Sequence, residues 1–470
     1  MLKKLLGAVF AALALRLIFV FCFPAGAGDT ATYEQLARNW LDHGVYGLWL
    51  NGVLTPVDIR APGYPAFLAA IFSVFGRSNV AVLLVQVFVD LLTCLLTGGI
   101  AAYLAPEKYR ARVMIAAVWL AALCPFVANY TAAVLTEVLA TFLTTASLLM
   151  LLLASGEADA QPPNASSGRL FFFGAFFAGL GALVRPETPL LLATTGVVLC
   201  FHWWRVPHWP RLFRAGVFMA LGLALPLLPW AARNVRTLHE VQFLAARHAE
   251  LPGELVPHGF YAWTNTWLVR FRDVYLLPWK LEDEPISIDD VNPDAFDSSA
   301  ERDRVAKLLD RYDEEVVYTP ELDAEFAALA RERTARHPLR TYVWVPLQRC
   351  ATMWFTPRVE LLPYSGHLFP LADAWADDPV DFSVTIALGF LNFVFVGLAL
   401  AGAVRLWKNS RAPSPTLSNS SRLGLWFIVS FVLVRTAFLT QLETPEPRYV
   451  VVCFPAILAL AAQLWARPKL

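Results

Sequence analysis

The chain has 470 residues, 57% of them hydrophobic and 16% charged, with a mean hydropathy of +0.51. That is too apolar for a soluble protein with an ordinary polar surface and predicts a polytopic membrane protein. Lys+Arg (38) balance Asp+Glu (38), which removes the electrostatic case for nucleic-acid binding and leaves the position of each sign as the informative quantity.

Apolar runs long enough to cross a hydrocarbon core of about 30 Å start near Leu5, Val80, Val113, Thr136, Leu170, Thr188, Leu212, Ser383, Leu423 and Val450, about ten spans in all. The first has the outline of a secretory signal, with Lys3, Lys4 and the small residues Ala25 to Ala27. Arg16 interrupts its apolar middle and its length suffices to span, so it reads as a membrane helix. If the spans alternate, the basic stretches at Lys3/Lys4, Lys108 to Arg112, Arg205 to Arg214, Arg405 to Arg422 and Arg467 to Lys469 share one side. The positive-inside bias makes that side cytoplasmic and places both termini there. The expectation is a multi-pass protein of the plasma membrane, in bacteria the inner membrane, with its non-membrane mass extracytoplasmic.

Three regions follow: residues 1–232 as a helical membrane core whose first outer loop is 24–79, residues 233–382 as an extracytoplasmic cap with an interfacial helix, and residues 383–470 as C-terminal membrane helices. Inside the outer loops the pattern reads as helical rather than stranded. Thr30 to His43 forms an amphipathic helix stopped by Gly44, and the run from Tyr64 to Gly76 is too short to span and lies at the interface. Ser298 with Glu301 reads as a capping box, and Thr319 before Pro320 as an N-cap with proline in the first turn. His337-Pro338 ends the helix that Thr319 starts. The segment Arg340 to Phe355, with Pro346 and Arg349, reads as an interfacial helix. The stretches around residues 155–169 and 409–422 are linkers, and their sequons at Asn164 and Asn419 face the cytoplasm. The six cysteines contain no CxxC pair and suggest neither a disulfide framework nor a zinc site.

Charged residues gather at the outer ends of otherwise apolar spans: Asp29, Glu137, Arg185 with Glu187, Arg233 with Arg236, and Glu443, Glu446 and Arg448. A charge at bilayer depth costs about 2.5–3.5 kcal/mol, less near the interface, so such groups face a cavity or a partner. Taken singly, Asp29 and Glu137 could each serve a helix start, and Arg233, Arg236 and Arg448 could each anchor to headgroups. Their combination points further. Displacing a phosphate-linked group needs a carboxylate to take a proton from the attacking hydroxyl and guanidinium groups to hold the phosphate that leaves. There is no Walker GxxxxGK[ST], no GxGxxG after a strand and no HExxH. The acidic run Glu282 to Glu284 reads as a solvated loop, and no metal ligand is assigned. Arg16 and Arg435, deeper in their spans, are expected to pair inside the bundle.

These segments resemble the integral-membrane glycosyltransferases of the GT-C fold, in particular the bacterial group related to protein O-mannosyltransferases and lipid A aminoarabinose transferases. The resemblance is carried in order by "GDTATYEQLARNWLDHGVYG", "RAPGYPAFLAAIFSVFG", "VLTEVLATFL", "LVRPE", "PWAARN", "RHPLRTYVWVPLQR" and "PEPRYVVVCFPAILALAA". It implies an all-α polytopic fold with amphipathic juxtamembrane helices and a mostly helical outer region. It also implies a polyprenyl-phosphate-linked sugar as donor, with membrane lipids as surroundings, and transfer with inversion. By position, Asp29 is the family's catalytic carboxylate and Glu137 its second acid. Arg60 and Arg448 fall near the carrier phosphate, with Arg185 and Arg233 as further phosphate candidates, and Tyr33, Tyr64 and Tyr449 line the cavity. Many members carry two adjacent acids in the first loop, whereas Asp29 is followed by Thr30 and the next acid is Glu34. That departure puts a divalent metal in doubt and leaves the roles of Asp29, Asp58 and Glu137 to be divided. A transporter or flippase for a lipid-linked or anionic substrate is the alternative, against which stands the missing internal repeat.

Overall fold

The computed structural model describes residues 1–26, 28–160, 164–204, 209–245, 251, 254–410 and 419–466. In chain order the elements are α1 (Leu2–Cys22), α2 (Gly28–His43), β1 (Gly47–Leu50), β2 (Val53–Pro56), α3 (Gly63–Phe75), α4 (Asn79–Leu104), α5 (Arg110–Ala122), α6 (Pro125–Ala128), α7 (Glu137–Asp159), α8 (Ser167–Ala182), α9 (Leu190–Trp203) and α10 (Trp209–Thr237). Then come α11 (His258–Thr264), α12 (Phe271–Leu276), α13 (Ser299–Asp313), α14 (Pro320–Arg336), α15 (Val345–Phe355), α16 (Leu371–Asp377), α17 (Pro379–Ser410), α18 (Asn419–Leu439) and α19 (Phe454–Ala461). The fold is the mostly helical polytopic one that the sequence predicts. Arg205, Arg467, Lys469 and most of the linker before Arg422 lie outside the described residues.

Seven helices among the described residues are long and apolar enough to cross a membrane, or eight if Glu107–Ala122 and Pro125–Ala132, bent by 56°, form one span. Helices α8 and α9, of 16 and 14 residues, stand where the sequence suggests a fifth and sixth span. At about 1.5 Å per residue they are shorter than the hydrocarbon core, so the count of ten is approximate.

One expectation is corrected. The first outer loop is not wholly helical, because Gly47–Leu50 and Val53–Pro56 pair as an antiparallel hairpin. Asn51 and Gly52 at its tip have φ of 49° and 79°, the two positive values that a tight primed turn demands and that Asn-Gly tolerates. The Asn39 amide of α2 donates to the Gly47 carbonyl at 2.7 Å and pins the hairpin to the helix before it.

The chain divides into two compact units, one of Met1–Arg247, Pro357–Val434 and Val451–Leu470, the other of His248–Thr356 and Arg435–Val450. In the first, Phe19, Val20, Tyr64, Leu68, Phe72, Val87, Val134 and Leu143 are members of one apolar core. Arg16, fully buried, crosses from α1 to donate to Asp90 of α4 at 2.6 Å and to the Ala122 and Ala121 carbonyls at 2.5 and 3.0 Å. Those carbonyls end α5, so the guanidinium adds donors to the last turn of the helix where the course of the chain bends.

The second unit closes on Phe260, Trp263, Leu308, Leu309 and Phe326. Its two amphipathic helices begin as the sequence predicts: the Ser298 hydroxyl accepts from the Glu301 amide at 3.2 Å and the Thr319 hydroxyl from the Leu322 amide at 3.3 Å. The Glu301 carboxylate instead pairs with Arg333 and Arg336, and Asp297 with Arg336 at 3.0 Å and Arg340 at 2.5 Å. Burial by itself raises the Asp297 pKa. The hydrogen bond from Arg340 and the charges of Arg333, Arg340 and Arg336 outweigh that and hold it below the usual carboxylate value. Arg349, also buried, donates to the Leu268, Thr440 and Leu442 carbonyls and to the Asn265 side chain at 2.7–3.1 Å.

Candidate active site

Four segments of the first unit converge through hydrogen bonds to backbone carbonyls. The Ala25 amide donates to Ala132 at 3.0 Å and the Thr30 hydroxyl to the Val134 carbonyl at 3.1 Å, which docks the start of α2 beside the entry to α7. The Gly63 amide donates to the Leu183 carbonyl at 2.6 Å, seating α3 on the end of α8. A Cβ at Gly63 would lie 2.6 Å from that same oxygen, so only glycine permits the approach. Residues three before Gly63 and two after Leu183 are Arg60 and Arg185.

Each arginine meets an acid. Arg60 donates to Asp29 at 3.0 Å, both side chains being one-quarter exposed. Arg185 pairs with Glu137, which is only 1% exposed, donates to the Thr136 hydroxyl at 3.2 Å and lies 3.9 Å from Glu187. Tyr33 of α2 is in the field of all four groups: burial first and the Asp29 charge next push its phenol up to about 12, against Arg60 and Arg185. It therefore stays a protonated donor at neutral pH. Its ring meets Tyr64 edge-on at 5.2 Å; the Tyr64 hydroxyl donates to Gln86 at 2.8 Å, and the Gln86 amide donates to the Ala133 carbonyl at 2.8 Å. Gln86 and Thr136 thus hold the site together. Sequence reasoning missed both, since neither carries a charge; the polar Gln86 inside an apolar run is the signal that was present.

Arg233 meets the hairpin of the first outer loop. It donates to the Tyr46 carbonyl at 2.6 Å, the Val57 carbonyl at 3.1 Å and the Asn234 side chain at 2.9 Å, with its guanidinium over the Trp230 and Tyr46 rings at 5.0 and 5.5 Å. It clamps the two ends of the hairpin, whose neighbour Tyr46 in turn donates to the Arg60 carbonyl at 2.8 Å. Asp58 adds its charge around Tyr46. Arg448 and Tyr449 belong to the second unit, where Arg448 pairs with Glu446 at 2.5 Å and Tyr449 donates to the same carboxylate. Among the described residues no three His, Cys, Asp or Glu side chains gather as a metal site. Glu34, the next acid after Asp29, is engaged by Arg38 at 2.6 Å and Asn79 at 2.8 Å.

No protein-family model matches the sequence, and no curated protein matches it. Solved structures do. The archaeal oligosaccharyltransferase AglB of Archaeoglobus fulgidus, in complex with an inhibitory peptide and a dolichol-phosphate, aligns with a TM-score of 0.50 at 14% identity over 98% of this chain and 50% of its own. The apo form of the same organism's oligosaccharyltransferase gives 0.50 at 13% identity over the same shares. The fold is the GT-C fold. ArnT from Cupriavidus metallidurans bound to undecaprenyl phosphate aligns at 13% identity over 98% of this chain and 77% of its own, with a TM-score of 0.40. The chain spans about half the length of the oligosaccharyltransferase chains it matches. Within this GT-C fold the chain gathers two carboxylates and two guanidinium groups around one tyrosine, from α2, the turn before α3, the head of α7 and the turn after α8.

Proposed function

We propose that this protein is an inverting glycosyltransferase that moves a sugar from a polyprenyl-phosphate-linked donor to a hydroxyl on a cell-envelope glycan, lipid or protein. The observation that carries this reading is the pairing of Asp29 with Arg60 beside Glu137 with Arg185 in a GT-C fold. Asp29, one-quarter exposed, takes the proton of the acceptor hydroxyl. The acceptor oxygen bonds to the anomeric carbon from the face opposite the phosphate, the bond from that carbon to the phosphate oxygen breaks, and polyprenyl phosphate leaves with the electron pair. Arg60 and Arg185 hold the phosphate as its charge grows. Glu137 keeps Arg185 in place, and Tyr33 donates from the cavity wall. Arg233 serves the site by fixing the hairpin. Arg448 and Tyr449 enter only through the family resemblance.

The site is read as extracytoplasmic, in a plasma membrane protein with both termini in the cytoplasm and residues 233–382 as its cap. Incubating purified protein with labelled polyprenyl-phosphate sugar tests the reaction. Free polyprenyl phosphate supports a transferase, and label crossing proteoliposomes unchanged supports a transporter instead. Single cysteines placed in the loops around residues 26 and 444, probed with a membrane-impermeant thiol reagent, test the side; labelling from opposite faces removes the proposed topology.

A further inference from the structure

Tyr46, just before β1, is 3% exposed and joins the segment that carries Asp29 to the one that carries Arg60. Its ring meets Trp40 of α2 edge-on at 5.2 Å and Trp230 of α10 at 5.1 Å. Because α2 is a single helix of 16 residues with Asp29 in its first turn, the contact with Trp40 places Tyr46 relative to that acid. The Tyr46 carbonyl accepts from Arg233 at 2.6 Å and from the Val57 amide at 3.3 Å, and its hydroxyl donates to the Arg60 carbonyl at 2.8 Å. Burial raises the Tyr46 phenol well above its ordinary value, so the hydroxyl stays a donor at neutral pH. The chain leading into α3 is thereby fastened at every third residue. Arg233 and the Tyr46 carbonyl hold Val57, the Tyr46 hydroxyl holds Arg60, and the Leu183 carbonyl holds Gly63.

We propose that Tyr46 is a positioning residue for the transfer. Packed on the helix that carries Asp29 and bonded to the Arg60 carbonyl, it sets the guanidinium that holds the donor phosphate against the carboxylate that takes the acceptor's proton. The inference rests on the transferase reading above. Tyr46 acts through the backbone of Arg60, on the point from which that side chain starts, and so it operates whatever other groups the guanidinium meets. The effect is large where geometry decides the rate, since a misplacement of about 1 Å can cost about 10²-fold. Arg233 extends the same chain of contacts to α10, because it grips the carbonyl of Tyr46 while its guanidinium lies over the Tyr46 ring.

The test is a double-mutant cycle read by equilibrium binding of polyprenyl monophosphate to the full chain in lipid nanodiscs. Tyr46→Phe keeps the ring between Trp40 and Trp230 and removes only the hydroxyl. It is expected to weaken binding roughly fivefold. Arg60→Gln keeps the carbonyl that Tyr46 holds but not the guanidinium. In that background Tyr46→Phe is expected to change binding by less than about twofold, while its effect on the melting temperature is the same in both backgrounds. A merely structural role would instead weaken binding by the same factor with or without the guanidinium. Arg233→Lys, which loosens Tyr46 at its carbonyl, carries the same expectation and stands in if Tyr46→Phe does not fold. Unchanged affinity in Tyr46→Phe overturns the positioning role and leaves the transferase reading intact, as does an equal loss in both backgrounds. A wild-type protein that does not bind polyprenyl monophosphate removes the transferase reading, and the positioning role falls with it.

Discussion

The loop that carries Asp29 with Arg60 and the helix heads that carry Glu137 with Arg185 use the same two functional groups in opposite surroundings. In the first, water reaches both partners; in the second, the acid is sealed at the start of α7 and the arginine is nearly so. Exposed pairs contribute about 0–1 kcal/mol to stability, whereas removing one partner of a buried pair costs about 3–5 kcal/mol because a bare charge stays behind. The same two groups are therefore loosely held in one place and committed to a fixed geometry in the other. The second unit repeats the committed form, with Arg333 fully buried between Glu301 and Asp297.

Substitutions can break this contrast at several strengths. Arg185→Met takes its arginine away from the buried Glu137 and is expected to destabilise the first unit by about 3–5 kcal/mol, read by tryptophan fluorescence during unfolding in detergent. Adding Glu137→Gln recovers much of that loss; an unaltered melt in the single variant would mean that the pair carries no structural role. Asp29→Asn is expected to change the same melt by less than about 1 kcal/mol, and a larger loss would erase the distinction between the two pairs. For the second unit the sign follows from Asp297, whose folded pKa is depressed. Its contribution is present above the unfolded aspartate value of about 3.9 and is lost as pH falls through the lower folded value. Acid unfolding of that unit below about pH 4 should be blunted in Arg340→Met, which removes the hydrogen bond to Asp297. The smallest effect is at Tyr33, where the folded phenol is raised to about 12. Its contribution is complete below the unfolded tyrosine value of about 10 and fades as pH rises toward the folded value. Alkaline unfolding curves of wild type and Tyr33→Phe should diverge only in that window.

Much of this was legible from residues alone. The helix starts at Ser298 and Thr319, the stop at Gly44 and the clustering of charges at span ends all follow from local chemistry that a sequence displays. What was hidden is pairing across the chain. The sequence shows Asp90 in mid-span and Arg16 in another, but only packed helices reveal that they meet at 2.6 Å. The sequence shows the charge of Arg233 but not the Tyr46 and Val57 carbonyls that its guanidinium meets. The hairpin was missed although Asn51-Gly52 announced it: its strands are four residues each, and their stability comes from Asn39 and Arg233 rather than from their own pattern.

The most direct measurement compares wild type and Asp29→Asn for release of free polyprenyl phosphate from labelled polyprenyl-phosphate sugar in the presence of an envelope extract as acceptor source. The account predicts release by the wild type and a fall of about 10²–10⁴-fold in the variant at unchanged fold. Equal release by the two proteins would contradict it.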